Sequence, residues 1–147
     1  FPALIEQNLR KQGKEVKAVN AGLSGETSAG GLSRIDWILR QPVDVFVLEL
    51  GANDGLRGLP VTDTRQNLQR IIDKVKAKYP NAKIVMAGMM VPPNMGKTYA
   101  DEFKKIYPEL ARANGATLIP FLLEGVAGDE KLNQADGIHP NAKGHQL

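Results

Sequence analysis

Apolar residues occur along the chain in two alternating patterns, continuous short runs and helical periodicities. The longest run, from Val43 to Leu50, predicts a central strand of a parallel sheet, because such strands are buried on both faces. Shorter runs predict further strands at Val16–Val19, Lys83–Gly88 and Thr117–Ile119. Strands that alternate with helices over short connections predict a doubly wound α/β domain with three layers.

Helical periodicity is clearest from Thr62 to Lys78, where apolar residues recur at i, i+3, i+4 and i+7, namely at Leu68, Ile71, Ile72 and Val75. Thr62 is predicted to cap this helix. Pro108 is predicted to kink the last helix, and Leu122–Val126 is predicted to form a helical turn. The other predicted helices span Pro2–Gln12, Ser28–Leu39 and Tyr99–Asn114.

The composition excludes several classes of protein. No apolar run approaches the roughly 18 residues of a membrane span, so no integral membrane segment is predicted. The net charge of +3 comes from scattered lysines and arginines, which argues against a nucleic-acid partner. The absence of cysteine excludes disulfides, a thiolate nucleophile and a cysteine-based zinc site. A length of 147 residues fits one domain, 1–147.

Polar residues that could take part in catalysis or binding cluster at two places in the sequence. Gly51, Ala52, Asn53 and Asp54 follow the central strand, and ligands of open α/β sheets bind outside the carboxyl ends of strands. A second cluster, Asp136-Gly137-Ile138-His139-Pro140, contains one of the two histidines. The other, His145, is interpreted as a surface or helix-start residue.

Three loops are candidates for a binding site. The small polar residues from Asn20 to Ser28 precede a predicted helix, which Ser28 is expected to cap. The loops Met89–Gly96 and Leu56–Pro60 are expected to determine the volume of a pocket, with candidate substrate contacts at Leu56, Pro93 and Asn94. An alternative left open is that the apolar residues from Met89 to Met95 only cover a sheet edge.

Three motifs occur in order: NAGLSGETS from Asn20 to Ser28, LGANDGLRG from Leu50 to Gly58, and DGIHP from Asp136 to Pro140. Together they resemble the SGNH, or GDSL, hydrolases, in particular the bacterial arylesterases, thioesterases and lysophospholipases. The resemblance spans nearly the whole chain. It implies a flavodoxin-like parallel sheet in a three-layer α/β/α sandwich, and a serine esterase that acts on a small-molecule or lipid ester without cofactor or metal.

The resemblance also implies a role for four residues. Gly25 would offer its backbone N–H, and Asn53 its side-chain amide, to an oxyanion. His139 would be the general base, and Asp136 would orient its ring. Each of these residues also has a purely structural explanation. Gly25 permits a positive φ, Asn53 suits a left-handed turn, and Asp136 with His139 is also common in ordinary turns. Asp54 and Glu49 are interpreted as groups that shape the loop.

The chain departs from the family pattern in one respect, because no Gly-Asp-Ser sequence occurs in it. The resemblance places the strand before that serine in the middle of a sheet ordered 2-1-3-4-5. The expectation is therefore a domain truncated at both ends, without its first strand and last helix, and with its nucleophilic serine upstream of Phe1. Ser24 is a weak substitute, because a nucleophile elbow needs glycine at position 26, where Glu26 stands. Relatives suggest a periplasmic or secreted protein.

The sequence is also compatible in part with other functions. A catalytically inactive ligand-binding module of the same fold is the main alternative, since no Gly-Asp-Ser is present. Nucleotide binding is weaker, because neither G-x-G-x-x-G nor a P-loop occurs. A metal hydrolase built on Asp136, His139 and His145 lacks a further ligand.

Overall fold

Three parallel strands form a sheet in chain order: β1 (Val45–Leu48), β2 (Lys83–Ala87) and β3 (Thr117–Ile119). The prediction of the run Val43–Leu50 as a central strand buried on both faces is wrong for this sheet, because β1 lies at its edge and Val45 and Val47 are exposed. The computed structural model describes the backbone of residues 1–147 and every side chain other than that of Pro93. In the sheet register, Val47 lies opposite Val85, and Val85 opposite Thr117. The three strands leave the sheet in the same direction, so the loops that follow them gather at one edge.

The helices predicted from periodicity are confirmed, with ends displaced by at most two residues. Pro108 lies inside the last helix, which continues through it. A short helix of five residues directly after β1 was not predicted. The helices are α1 (Pro2–Lys11), α2 (Ser28–Ile38), α3 (Ala52–Leu56), α4 (Val61–Lys78) and α5 (Lys97–Asn114), with 3₁₀ turns at Pro93–Met95 and Gly144–Gln146.

The core joins the sheet to α2, α4 and α5. The four apolar positions of α4 that define its period are at most 1% exposed, because they face the sheet and the two neighbouring helices. Met86 of β2 and Phe103 of α5 are fully buried beside them. Phe103 also lies near Tyr99 and Tyr107, with ring centroids 6.1 and 5.8 Å away.

The chain divides into two compact units. The central unit, Ser24–Leu122, contains the sheet and helices α2 to α5. The terminal unit combines Phe1–Leu23 with Leu123–Leu147 and contains α1. In the terminal unit Val126 and Asn133 are buried, and Asn133 forms an isolated antiparallel bridge with Pro140 of the DGIHP motif.

The predicted strand at Val16–Val19 is wrong, since this segment has no regular secondary structure and pairs with no strand. Its backbone groups bond to side chains of α1 instead. Arg10 Nε donates to Val16 O at 3.0 Å, and Ala18 N donates to a carboxylate oxygen of Glu6 at 2.7 Å. A strand requires a partner at its edge, whereas local hydrogen bonds to a helix can satisfy the same groups without one.

Two predicted helix caps are also wrong. α4 begins after Pro60 without a side-chain cap, and the Thr62 hydroxyl contacts Asp63 at 3.4 Å. The cap of α2 is Thr27, whose Oγ1 accepts a hydrogen bond from Gly30 N at 3.3 Å. Ser28 is already inside the helix, which leaves its hydroxyl available for a different contact.

Candidate active site

The loop before α2 exposes the backbone of Gly25. Gly25 has a φ of +74°, a conformation that residues with a side chain rarely adopt. Arg57 donates from Nη2 to Gly25 O at 2.9 Å and so holds this peptide in place. No described residue accepts a hydrogen bond from Gly25 N–H, which leaves that group for a ligand.

Asn53 lies beside this loop because the chain turns sharply after β1. Gly51 makes the turn with a φ of 110°, and a Cβ at this position would lie 2.5 Å from the Tyr107 hydroxyl. Asn53 then stands in the first turn of α3 and donates from Nδ2 to Glu26 O at 3.1 Å. An amide nitrogen carries two hydrogens, so a second N–H remains.

The oxyanion interpretation and its alternatives can be compared with this geometry. The left-handed turn considered for Asn53 is wrong, because every described residue with positive φ is a glycine and Asn53 is helical. The positive φ considered for Gly25 is confirmed and accompanies an open N–H. The Asn53 amide and the Gly25 backbone therefore lie next to each other, since Asn53 bonds to the residue that follows Gly25.

Asp54 is buried behind these two donors, and its side chain is only 2% exposed. Its Oδ2 accepts a hydrogen bond from Ser28 N at 2.7 Å, and its Oδ1 accepts one from Ser28 Oγ at 2.5 Å. Thr64 Oγ1 donates to Oδ1 at 3.2 Å. Burial, and secondarily the charge of Asp54, raises the pKa of the Tyr107 hydroxyl, which donates to Leu50 O at 3.1 Å.

The Asp136–His139 pair is formed in the terminal unit. Asp136 Oδ2 lies 2.7 Å from His139 Nδ1. Asp136 Oδ1 accepts hydrogen bonds from the backbone N–H groups of Ile138 and His139, both at 3.0 Å. Those backbone bonds, that of His139 first, together with the His139 ring, lower the pKa of Asp136 from 3.8 to about 2.

The ionised carboxylate determines which nitrogen of His139 is protonated. A carboxylate can only accept hydrogen bonds, so Nδ1 must carry the hydrogen that lies between the two groups. Nε2 is then the unprotonated nitrogen of the neutral ring, as a general base requires. The His139 side chain is 66% exposed, so Nε2 is accessible from solvent.

A network of asparagine contacts fixes the loop that carries this pair. Asn141 donates from Nδ2 to Lys131 O at 2.9 Å and to Asn133 O at 3.1 Å. Gln134 N donates to His139 O at 2.8 Å. The loop from 131 to 141 is thereby closed on itself, so the Asp136–His139 geometry does not depend on a helix or strand.

The loops after β1 and β2 lie against each other in the central unit. A Cβ at Gly55 would lie 2.3 Å from Val91 Cγ1, and Tyr99 Oη donates to Leu59 O at 2.7 Å. Leu56 is 39% exposed, and Asn94 is exposed in a 3₁₀ turn. The third candidate contact, the side chain of Pro93, lies outside the described residues. All three substrate contacts remain predictions.

The three serines of the chain differ in their contacts. Ser28 bonds to Asp54, and Ser33 Oγ donates to Gly30 O at 2.7 Å. Ser24 is exposed in a turn next to Gly25. His145 is exposed in the last 3₁₀ turn, in agreement with its interpretation as a surface residue.

Sequence reasoning missed Arg57, which holds the Gly25 peptide. It interpreted Asp54 as a group that shapes the loop but did not identify Ser28 and Thr64 as its partners. The sequence contains a signal for the contacts of Asp54, because an aspartate directly after Asn53 in a buried turn requires several hydrogen-bond donors. The sequence contains no signal for the contact between Arg57 and Gly25. Over the described part of the chain, no group of three His, Cys, Asp or Glu residues has the arrangement of a metal site, and no helix has the length and apolar character needed to cross a membrane.

The central unit has a parallel α/β sheet, and the terminal unit has an Asp-x-x-His pair. The model of the GDSL-like lipase/acylhydrolase family matches residues 1–147. The chain belongs to this family, and it is a carboxylic-ester hydrolase of the SGNH type.

Individual relatives agree with this assignment. The chain is 42% identical over 139 residues to esterase TesA of Pseudomonas aeruginosa, covering 94% of this chain and 68% of that protein. It is 40% identical over 141 residues to an arylesterase of Vibrio mimicus, covering 95% and 70%. The crystal structure of AlinE4, an SGNH-hydrolase family esterase, superposes with a TM-score of 0.87 at 43% identity, covering 99% of this chain and 78% of that one. The predicted three-layer SGNH-hydrolase fold is confirmed.

Proposed function

We propose that this protein is a serine esterase that cleaves acyl esters or thioesters, with His139 as general base, Asp136 as its orienting carboxylate, and Gly25 and Asn53 as oxyanion donors. The observation that carries the proposal is the 2.7 Å contact between Asp136 Oδ2 and His139 Nδ1. In the neutral imidazole, this contact places the ring hydrogen on Nδ1 and so presents Nε2 as the proton acceptor.

In the first half of the reaction, a serine hydroxyl attacks the carbonyl carbon while His139 Nε2 takes its proton. The carbonyl oxygen becomes negatively charged. The N–H of Gly25 and the second N–H of Asn53 donate hydrogen bonds to it, which lowers the free energy of the transition state. The negative charge of Asp136 stabilises the imidazolium that forms.

In the second half, the imidazolium gives its proton to the leaving oxygen or sulfur, and an acyl-enzyme remains. Water then attacks the acyl carbon while His139 again acts as base. The serine is released with its proton restored, and the acid product leaves. Each step uses side chains, backbone N–H groups and water.

The substrate class follows from the relatives, whose printed names include arylesterase and thioesterase 1/protease 1/lysophospholipase L1. We propose small aryl or alkyl esters, thioesters and single-chain lipid esters as substrates. Leu56, Asn94 and Pro93 are the proposed contacts for the acyl or alcohol group. Leu56 offers apolar surface at the end of the helix that carries Asn53, which suits an acyl chain.

The test is hydrolysis of p-nitrophenyl acetate and butyrate by the protein expressed from its own gene. His139→Ala should reduce kcat by about 100- to 10,000-fold, the usual contribution of a general acid–base group. His145→Ala is the matched control, because it removes the other histidine of the chain and should leave kcat within about twofold. An organophosphonate should label one serine, and the position of the labelled serine identifies the nucleophile.

Two results would overturn the proposal. Equal activity of wild type and His139→Ala would remove His139 as the base. Labelling of Ser24 would show that the nucleophile lies in the loop of Gly25, so that Gly25 would need a different role.

A further inference from the structure

We infer that Asp54 is a positioning residue for the esterase reaction: its buried carboxylate keeps the loop that carries Gly25 N–H at a fixed distance from the helix that carries Asn53. The inference rests on the proposed function, because it concerns the two proposed oxyanion donors. Asp54 itself does not touch the substrate.

The contacts of Asp54 join three elements of the central unit. Both carboxylate oxygens bond to Ser28, the first residue of α2, at 2.7 and 2.5 Å. Thr64 of α4 donates to the same carboxylate at 3.2 Å. Asn67 of α4 donates to Ser28 Oγ at 3.0 Å, which orients that hydroxyl toward Asp54. A single carboxylate therefore links α3 to the starts of α2 and α4.

The burial of this carboxylate is not explained by an ion pair. No described ion pair joins Asp54 to a lysine, arginine or histidine. A buried charge with hydrogen bonds alone is a poor way to gain stability, and apolar residues of similar volume often stabilise a core better. A carboxylate does provide two acceptors at fixed separation for one backbone N–H and one hydroxyl of the same residue.

Three contacts connect α3 and the residue after it to the loop before α2 or to the first residue of α2, and they differ in exposure. Asn53 bonds to Glu26 O from a half-buried position, and Arg57 bonds to Gly25 O from an exposed one. Water can replace such partners at low cost. The contact of Asp54 with Ser28 is buried, so it is the one that water cannot easily replace.

This arrangement affects the chemical step rather than substrate binding. An oxyanion donor is effective only if it already points at the place where charge develops. A displacement of about 1 Å in such a group can cost about 100-fold in rate. Without the Asp54 carboxylate, the first turn of α2 is free to move relative to α3, so the separation of the Gly25 and Asn53 N–H groups is no longer fixed.

The experiment is a double-mutant cycle on ester hydrolysis by the protein expressed from its own gene. Asn53→Ala should lower kcat by about 100- to 1000-fold, as for other oxyanion donors. Asp54→Ala should lower kcat by about 10- to 100-fold with KM within about twofold. In the Asn53→Ala background, Asp54→Ala should cost less than about threefold, because the pair of donors that it positions is already incomplete.

Asp54→Asn tests whether acceptor geometry is what matters. Its Oδ1 can accept from Ser28 N, and its amide can donate to the hydroxyls of Ser28 and Thr64. This conservative variant should recover at least about half of the loss, on a logarithmic scale, that Asp54→Ala causes. If Asp54→Ala does not fold, the cycle is run with Asp54→Asn alone, and non-additivity with Asn53→Ala remains the expected result.

Asn114→Ala is the control for loss of stability. It removes the hydrogen bonds of Asn114 Nδ2 to Gln69 Oε1 at 2.8 Å and to Leu110 O at 2.9 Å, which involve neither Asp54 nor Ser28. Its Tm should fall, while its kcat should stay within about twofold of wild type.

The outcomes separate the inference from the proposed function. Absence of hydrolysis and of serine labelling in wild type refutes the proposed function itself. An active wild type in which Asp54 and Asn53 substitutions act additively on kcat, or in which Asp54→Ala lowers only Tm, overturns the inference and leaves the proposed function intact.

Discussion

At the scale of single residues, short-range hydrogen bonds favour the ionised form of Asp136 that the proposed chemistry needs. Asp136 accepts two backbone N–H bonds from its own turn and one bond from His139. These bonds favour the ionised carboxylate, because each stabilises the charged form more than the neutral one. The protonation pattern of the pair is therefore produced within four consecutive residues.

The first prediction concerns Asp136 and pH. Its folded pKa of about 2 lies below the ordinary value of 3.8, so its ionised form stabilises the folded state. This contribution is fully present above pH 3.8 and is lost as the pH falls through about 2. Asp136→Asn should therefore lower stability at neutral pH, by a small amount because both side chains are exposed to solvent.

The measurement is urea unfolding of wild type and Asp136→Asn at intervals between neutral pH and about pH 2, the folded pKa. The difference between the two proteins should shrink toward zero as the acid end is reached. A difference that is constant over the whole interval would contradict the assigned pKa shift.

At the scale of elements, close approach of backbone segments sets where loops leave the sheet. β2 runs into Gly88, whose N donates to Ile119 O at 2.8 Å and whose O accepts from Leu122 N at 3.0 Å. A Cβ at Gly88 would lie 2.1 Å from Pro120 O. The chain after β3 thus packs directly on the backbone of β2, which only glycine permits.

The second prediction is that Gly88→Ala is strongly destabilising. The clash is with a carbonyl oxygen of the main chain, so relief requires that the segment after β3 moves and loses its two hydrogen bonds. We expect a loss of about 3 kcal/mol in the free energy of unfolding, at the upper end for overpacking. Gly125→Ala is the matched control: its Cβ would meet nothing within 4 Å, and only its φ of +75° is unfavourable.

The control should lose about 1 kcal/mol, the cost of placing alanine in the left-handed region. Both values come from denaturant unfolding at one temperature. Equal losses for the two variants would show that backbone conformation, rather than the contact with Pro120, explains the need for glycine at position 88.

At the scale of the whole molecule, apolar burial is unequally distributed between the two units. The core cluster of buried hydrophobic residues lies in the central unit, where α2, α4 and α5 cover the sheet. In the terminal unit, α1 has no buried residue and the loop of His139 is fixed by polar contacts. Stability should therefore differ between the units.

The third prediction is a difference in hydrogen exchange within the 147-residue chain. Amides of α4 should exchange only through global unfolding, because their side chains form the core. Amides of α1 should exchange at least about 100-fold faster through local opening. The measurement is exchange of backbone amides followed by NMR or mass spectrometry, and equal protection of α1 and α4 would contradict the proposed distribution of stability.

Most helices and strands could be predicted from the sequence because each has a local signal. The period of Leu68, Ile71, Ile72 and Val75 defined α4, and the run after Val43 located β1. The segment Val16–Val19 was predicted wrongly because strand formation depends on a partner, which local pattern does not reveal. Its hydrogen-bonding groups bond to side chains of α1.

The candidate site could be predicted only in part, because some of its contacts are local in the sequence and others are not. The contacts of Asp136 with His139 span three residues, so the motif itself determines them. The contact of Asn53 with Glu26 and that of Asp54 with Ser28 join residues 27 and 26 positions apart. Such contacts arise only when α2 and α3 are brought together by the core.

The sequence by itself determined the alternation of strands and helices, the family and the short-range Asp136–His139 pair, because each depends on residues close together in the chain or on a motif. The tertiary structure decided that Asn53 lies beside Gly25, that Asp54 is buried against Ser28, and that residues 16–19 do not form a strand. These features depend on contacts between residues that are distant in the sequence. Packing of the core determines which of these residues come into contact.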